Sequence, residues 1–164
     1  MLKLGYKRIQ LKYLRERKSS DNDFFRFRCN ICGRLPLAPI QAISSREAPS
    51  CYYCGSNLRF RSILAALSME LFGTIIPIPA MPRNKGIFGI GISDSKVYSG
   101  PLRRKFSYTN TYYHRPPRLD ITDLHPKKEG TADFVISSEV FEHVPPPVSK
   151  SFSNLYKLLK PGGF

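Results

Sequence analysis

The sequence predicts an α/β protein in which a small cysteine-rich module precedes a mostly parallel sheet. Two observations support this fold class: paired cysteines fall between residues 29 and 54, and strand-like segments alternate with helical ones after residue 85. A length of 164 residues allows one domain or two small ones, and an apolar content of 41% is enough to bury a core. Wholesale disorder is therefore excluded.

Basic residues are concentrated in the first half of the chain. The net charge is +14, and residues 1–84 account for +9 of it, with 14 basic and 5 acidic residues. The loose apolar periodicity of residues 2–17 is compatible with a basic amphipathic helix. This start lacks the apolar run of a secretory signal, and residues 75–81, the longest nearly uncharged stretch, are too few for a transmembrane helix. We therefore predict a cytoplasmic protein without a membrane span.

Four cysteines form two CxxC pairs with 18 residues between them, namely Cys29, Cys32, Cys51 and Cys54. Each pair is followed by a glycine that permits a tight turn, and four thiolates in two such turns are the ligand set of a structural zinc ion. Two disulfides are the alternative, but they need an oxidising compartment, and no export signal is present. A thioredoxin-like redox motif is less favoured because neither pair opens a βαβ unit. With four cysteine ligands, the zinc would have no open position for catalysis.

A helix is predicted directly after the cysteines. Ser56 or Asn57 can cap it, and its apolar residues recur at spacings of three and four up to about residue 72. Arg59 and Arg61 lie at its start, where cations oppose the helix dipole. One interpretation is that they bind an anion or an acidic partner. The other is that they are solvated and flank a buried Phe60, and the sequence leaves both open. Three prolines between positions 77 and 82 then indicate an extended linker.

The second half of the chain reads as strands interleaved with helices. The predicted elements are strands over 86–92, 108–113, 118–122 and 132–137, a crossover helix within 95–105 weakened by a Gly-Pro pair, and a helix over 148–159. Such an alternation favours a parallel sheet. The predicted regions are a basic segment (1–24), the zinc ribbon with its helix (25–72), a proline-rich linker (73–84) and the sheet domain (85–164).

The first of these strands runs into a G-x-G turn at Gly89 and Gly91. Glycines at this point let a nucleotide-like ligand lie against the backbone at the carboxyl edge of a parallel sheet. The motif is weak alone, because Ser93 stands in place of a third glycine and an ordinary turn produces the same letters. The interpretation as a ligand-binding turn is strengthened by Asp120 at the end of a later predicted strand and by the polar residues after 132–137.

The order of these motifs, together with FVISSEVFEHV (134–144) and LYKLLKPGGF (155–164), resembles class I S-adenosylmethionine-dependent methyltransferases. The CxxCG pairs followed by GSNLRFRS resemble, more narrowly, bacterial methyltransferases that carry a zinc ribbon ahead of the catalytic domain. The resemblance covers residues 25–164. It implies an incomplete Rossmann-like methyltransferase sheet, made of the first four strands, with S-adenosylmethionine as the cofactor.

The resemblance also implies roles for individual residues. Gly89 and Gly91 would lie against the methionine part of the cofactor, and Asp120 with Ile121 would face its adenine. The implied cofactor-binding residues are Gly89, Gly91, Ser93, Asp94, Asn110, Asp120, Ile121 and Ser138, and the implied catalytic residues, beside the transferred methyl group and the acceptor, are Glu139, Glu142 and His143. For the last two, a solvated helix start is the alternative.

The sequence departs from the family pattern at two cofactor positions. Ile87 stands where an acidic residue is usual, and the second strand ends without the carboxylate that usually holds the ribose. Asn110 could replace that carboxylate with one hydrogen bond, and Asp94 is the nearest alternative acid. Phe164 falls where the fifth strand would begin, so we expect a truncated reading frame or a fragment with weak or no activity.

The predicted function is methyl transfer from S-adenosylmethionine to an unidentified acceptor. The alternative is a zinc-ribbon module that binds nucleic acid without catalysis, as the basic first half and its aromatic residues suggest. The two are compatible, since a basic module could deliver a nucleic acid or an anionic glycan precursor to the enzyme.

Overall fold

The computed structural model of this protein describes residues 23–164, which form two compact units divided after Met81. The helix considered for residues 2–17 lies outside the described residues. Within the stretch predicted as a linker, Ile78 and Met81 are buried, and the Ile78 N–H donates to the Asn30 carbonyl over 2.8 Å. The start of this stretch therefore packs into the first unit, around the 3₁₀ turn Ile78–Ala80.

The first unit contains a short hairpin and one long helix. Strands β1 (Phe24–Arg26) and β2 (Leu37–Pro39) pair antiparallel, and helix α1 (Ile40–Ser44) follows β2 directly. Helix α2 (Leu58–Phe72) begins and ends where the sequence predicts: its cap Asn57 accepts the Phe60 N–H over 2.9 Å, and Gly73 ends it in the left-handed conformation. The first cysteine pair lies between the two strands, and the second precedes α2.

The second unit is built on a three-stranded parallel sheet in the order β4-β3-β5. Its elements are β3 (Phe88–Ile92), α3 (Lys96–Lys105), β4 (Ser107–Thr111), the 3₁₀ turn Pro126–Lys128, β5 (Phe134–Ser137), the 3₁₀ turn Phe141–His143 and α4 (Val148–Leu158). The predicted α/β class with an incomplete parallel sheet is confirmed. Residue Phe164 exchanges two backbone hydrogen bonds with β5, to Asp133 O and from Val135 N, in the pattern of a parallel neighbour.

Residues 118–122 differ from their prediction as a fourth strand. They form one isolated parallel bridge, between Tyr112 and Arg118, and then turn. The Asp120 carboxylate accepts the Thr122 backbone N–H over 2.9 Å and its hydroxyl over 2.7 Å, so the side chain competes with the sheet for the backbone donor. The structure therefore contains three of the four expected strands.

The sheet buries a different apolar layer on each face, because successive strand residues point in opposite directions. On one face, Phe134 of β5 stacks with Tyr108 of β4 and lies edge-on to Phe106, beside the helix α3 residues Tyr98 and Leu102. On the other face, a buried cluster is formed by Ile90, Ile92, Leu119, Ile121, Ala132, Leu155 and Leu158. Helix α3 forms despite Pro101, since its apolar side is fully buried. No helix within residues 23–164 combines the length and apolarity needed to cross a membrane.

Candidate functional site

The four cysteines converge on one point in the first unit. Their sulfur atoms all lie within 4.8 Å of one another, with Cys29 Sγ 3.7 Å from Cys54 Sγ and Cys32 Sγ 3.6 Å from Cys51 Sγ. A tetrahedral zinc ion with Zn–S bonds of about 2.3 Å has S···S edges of about 3.8 Å. A disulfide would need about 2.05 Å, and all four cysteines are free. The arrangement is thus that of a four-thiolate metal site.

Two equivalent turns hold these sulfurs in place. Gly33 and Gly55 both adopt φ of 76°, and each donates its N–H over 2.7 Å to the carbonyl of the first cysteine in its pair. This left-handed conformation favours glycine, which explains the glycine after each CxxC motif. Hydrogen bonds from Cys51 and Cys54 lower the pKa of the Cys29 thiol, which favours the thiolate form of this buried sulfur. Metal binding requires such thiolates.

A buried arginine lies beside the sulfur cluster. Arg61 is only 8% exposed; its guanidinium donates to the Ser56 carbonyl over 3.2 Å and lies 4.6 Å from the Phe27 ring centroid. Burial lowers the pKa of Arg61, and the charges of the cysteines oppose this shift. Arg59, by contrast, donates two hydrogen bonds to the Glu47 carboxylate, at 2.8 and 3.0 Å. The Arg61 cation is therefore buried within electrostatic range of the cysteines, whereas Arg59 belongs to a surface ion pair, and neither supports the anion-binding alternative. The other alternative, a solvated pair flanking a buried Phe60, does not hold either, because Arg61 is buried and Phe60 is only half-buried.

We expect Arg61→Gln to weaken zinc binding about tenfold or more, because a tetrathiolate site carries a net charge of −2 that this buried cation offsets; changes to outer-shell partners of metal sites typically cost 10–100-fold. Competition with a chromophoric chelator measures the affinity. Arg59→Gln is the matched control and should leave the zinc affinity within about twofold. Equal zinc affinities for the two variants would contradict this role of Arg61.

The two glycines of the G-x-G turn are packed against side chains of the second unit. A Cβ at Gly89 would overlap the Phe134 ring, and a Cβ at Gly91 would overlap the Tyr108 hydroxyl and the Asp94 carboxylate. The glycines therefore make room for the α3 side of the core. Ser93, just beyond the turn, is exposed and has a φ of 58°, with its N–H bonded to the Thr111 carbonyl over 2.8 Å.

Asp94 is the centre of a buried hydrogen-bond cluster. It is 6% exposed, and its carboxylate accepts from the Tyr98 hydroxyl over 2.7 Å and from the Tyr108 hydroxyl. The Asn110 side chain accepts the Asp94 N–H and donates to the Asp94 carbonyl, both over 2.8 Å, and also donates to the Tyr112 hydroxyl. Both predicted cofactor residues, Asp94 and Asn110, are thus engaged in fixing the loop after β3.

Burial raises the pKa of Asp94 to about 6, although hydrogen bonds from the two tyrosines oppose the shift. Since an ordinary aspartate titrates near 3.8, the protonated form adds stability below about pH 4 that is lost as the pH rises through 6. Relative to Asp94→Asn, the wild type should lose about 3 kcal/mol of unfolding free energy between pH 4 and 7.5. Urea titrations followed by the NMR signals of the β3 amides measure this.

The exposed carboxylate Asp123 provides the control for this pH profile. Asp123→Asn should reproduce the wild-type profile, because this exposed carboxylate lies outside the buried Asp94 cluster. A constant stability difference between wild type and Asp94→Asn across the pH range would show that Asp94 does not titrate as described.

The remaining predicted cofactor residues lie in two segments of the second unit. Asp120, just after the Tyr112–Arg118 bridge, is half-buried; although burial opposes it, hydrogen bonds from Thr122 lower the pKa of this carboxyl, so it stays ionised. Ile121 is buried in the core cluster, and its carbonyl accepts from Asn154 over 2.8 Å. Ser138 follows β5, and the preceding Ser137 has a buried hydroxyl with no hydrogen-bond partner within the described residues. Only Ser138 of these residues directly follows a strand of the sheet.

The three predicted catalytic residues lie on the segment after β5. Glu139 is exposed and has a φ of 56°, and Glu142 and His143 form an exposed 3₁₀ turn with Phe141. The Phe141 ring stacks on Phe152 of α4, with centroids 3.9 Å apart, and so anchors this turn. The turn is held in place, while its acidic and basic side chains face solvent.

A cavity of about 260 Å³ lies elsewhere on the sheet. Its walls include Phe88 and Ile90 of β3 and Thr109 of β4, which alternate with the glycines and therefore occupy the opposite face, and the cationic side chains Lys127 and Lys128 also line it. None of the predicted cofactor or catalytic residues lines it. This cavity does not coincide with the predicted cofactor site.

The sequence did not predict that four side chains would form part of the two sites, namely Ser56, Arg61, Tyr98 and Tyr108. The Ser56 hydroxyl lies 3.3 Å from Cys29 Sγ, and both are fully buried. A partial signal existed for Tyr98, which is four residues from Asp94 across a helix start, a spacing that brings side chains together. The partnership of Asp94 with Tyr108 depends on tertiary structure and left no local pattern.

The comparison with protein families gives a match that lies in the second unit. Residues 95–164 match the family described as "Methyltransferase domain". The matched segment contains α3, β4, β5 and α4, and begins just after the glycine turn. No curated protein and no solved structure matches the chain. This part of the chain is therefore similar to a methyltransferase domain, and the four close cysteines fit a zinc-binding module.

Proposed function

We propose that this methyltransferase domain transfers a methyl group from S-adenosylmethionine to an acceptor, and that the first unit is its structural zinc module. The observation that carries the proposal lies within and beside the matched segment: Ser93 and Ser138 follow the neighbouring parallel strands β3 and β5, and Asp120 lies two residues beyond the isolated bridge that continues β4. Carboxyl edges of parallel sheets are where nucleotide-like ligands bind.

The residues at this edge fit the chemistry of the cofactor. The ionised Asp120 is suited to accept from the adenine amino group or from a ribose hydroxyl. The unpaired Ser137 hydroxyl offers a buried polar contact at the end of β5. Asp94 and Asn110 act indirectly, by fixing the loop that ends in Ser93. The side chains of Tyr108 and Asp94 occupy the space next to Gly91, so in this proposal the cofactor binds beside Ser93 instead.

S-adenosylmethionine, when bound, supplies an activated methyl group on its sulfonium sulfur. The task left to this chain is to hold the two reactants in line, which is a matter of position more than of proton transfer. Glu139, Glu142 and His143 lie on the turn after β5 and face the acceptor side in this proposal. A neutral His143 would take the proton of a hydroxyl or amine acceptor. The reduced thiolates of the zinc module fit a cytoplasmic location.

Calorimetric titration of the zinc-loaded full chain with S-adenosylhomocysteine tests the proposal. We expect saturable binding, with NMR shifts at the amides of Ser93, Asp120 and Ser138 and none in helix α2. ATP is the matched control, since it shares the adenosine but lacks the amino-acid part, and it should bind at least tenfold more weakly. Absence of binding, or shifts confined to other residues, would overturn the proposed site.

A further inference from the structure

A cluster of aromatic and cationic side chains, all exposed except the half-buried Tyr52, lies at the two cysteine turns. The Arg34 guanidinium carbon is 4.7 Å from the Tyr53 ring centroid, and the Tyr52 ring centroid is 4.0 Å from that of Tyr53, at an interplanar angle of 33°. Arg28 reaches the same turn, where its guanidinium donates to the Gly33 carbonyl over 3.4 Å. We call Arg28, Arg34, Tyr52 and Tyr53 the Arg–Tyr platform.

The platform is open to solvent, and within the described residues no carboxylate forms an ion pair with its two arginines. Arg28 and Arg34 are exposed, and Tyr53 is 38% exposed. Glu47, one of three carboxylates in residues 23–81, is held by Arg59 at 2.8 Å and by Arg46 at 3.1 Å. The zinc turns therefore present cations and rings together.

The cations of the platform are both arginines. Only the planar guanidinium stacks on rings and grips phosphate with two parallel donors, whereas the lysine ammonium does neither. Because Arg34 already lies over the Tyr53 ring, the platform suits a ligand that offers both phosphates and flat rings.

We propose that the Arg–Tyr platform binds single-stranded nucleic acid. Arg28 and Arg34 contact the phosphates, and unpaired bases stack against the exposed Tyr53 and Arg34 side chains. A duplex hides its base faces, and an anionic glycan offers charge without aromatic bases, so both fit this surface less well. This function goes beyond methyl transfer and does not depend on it.

Fluorescence anisotropy with labelled U12 and dT12 at 50 and 200 mM NaCl tests the proposal on the full, zinc-loaded chain. We expect binding that weakens as the salt concentration rises. Arg28 and Arg34 should account for at least two of the counterions that the nucleic acid releases on binding. Tyr53→Leu should weaken binding about tenfold with an unchanged salt slope, since stacking is lost and charge is kept. Arg34→Lys should weaken it several-fold in the same way.

Arg103→Gln, at an exposed position of α3 in the second unit, is the matched charge control and should leave the affinity within twofold. Zinc content confirms that each variant keeps its fold. The proposal is overturned if Tyr53→Leu and Arg34→Lys, with zinc retained, bind U12 as tightly as wild type. It is equally overturned if a heparin oligosaccharide of matched charge, or a 12-base-pair duplex, binds as tightly as the single strand.

Discussion

Replacing Cys51 with serine should remove stoichiometric zinc and unfold the first unit. Cys51 is fully buried and its sulfur lies 3.6 Å from that of Cys32, so serine would leave three thiolates and a poor fourth ligand at the centre of the site. Structural zinc sites of this kind contribute on the order of 10 kcal/mol to small folds. The core of the first unit is small, and such units usually need a metal or disulfides to stay folded. This is the largest effect that we expect from a single substitution.

Zinc content by atomic emission and the NMR signals of α2 measure the outcome together. The wild type should bind one equivalent, and Cys51→Ser less than about a tenth. Ser62→Ala, an exposed change on α2, is the control and should keep both the zinc and the helix signals. A Cys51→Ser protein with a full equivalent of zinc and an ordered α2 would disprove the four-thiolate site.

Gly91→Ala should destabilise the second unit by about 3 kcal/mol or more. The added methyl group would overlap both the Tyr108 hydroxyl and the Asp94 carboxylate, which are themselves buried and hydrogen-bonded, so neither can move without breaking the cluster. Overpacking of a dense core costs about 1–3 kcal/mol, and the loss of a buried hydrogen bond adds to it. The loop that ends in Ser93 should lose its fixed position as well, and cofactor binding with it.

Gly100→Ala is the matched control because it makes the same chemical change in helix α3. Apart from its chain neighbours and the backbone of its own helix, no atom lies within 4 Å of the added group there. The gain that alanine brings to a helix is offset because the following Pro101 disfavours a Cβ at this position, so the unfolding free energy should change by less than about 1 kcal/mol. Urea titrations followed by the β3 amides should therefore show a large loss of stability for Gly91→Ala and little change for Gly100→Ala. A Gly91→Ala protein as stable as wild type would show that the cluster does not need the space of Gly91.

Local patterns account for most of what the sequence predicted correctly. The cysteine spacing, the Asn57 cap, and the apolar runs of β3 and β5 each depend on residues close together in the chain. The prediction of a strand over 118–122 erred because the Asp120 side chain bonds the Thr122 backbone, a competition that apolar patterning does not register.

Local sequence patterns did not predict the buried contacts within the two sites. The sequence left open whether Arg61 binds an anion or is solvated, and only the folded structure places its charge near the sulfur cluster. The G-x-G turn was correctly placed at the end of a strand, but the neighbours of its glycines, Phe134 and Tyr108, come from other strands. Pairings of this kind depend on register and topology, which no short stretch of sequence specifies.

Because all four cysteines lie in one cluster of the first unit, the two units differ in their reactivity toward oxidants. An oxidant that joins sulfurs 3.6–3.7 Å apart into disulfides would expel the metal from the first unit, while the second unit contains no thiol to attack. Thiol-labelling kinetics therefore report the opening of the metal module alone, without background from the sheet. The two halves of this protein should differ in their response to oxidative stress as much as in their architecture.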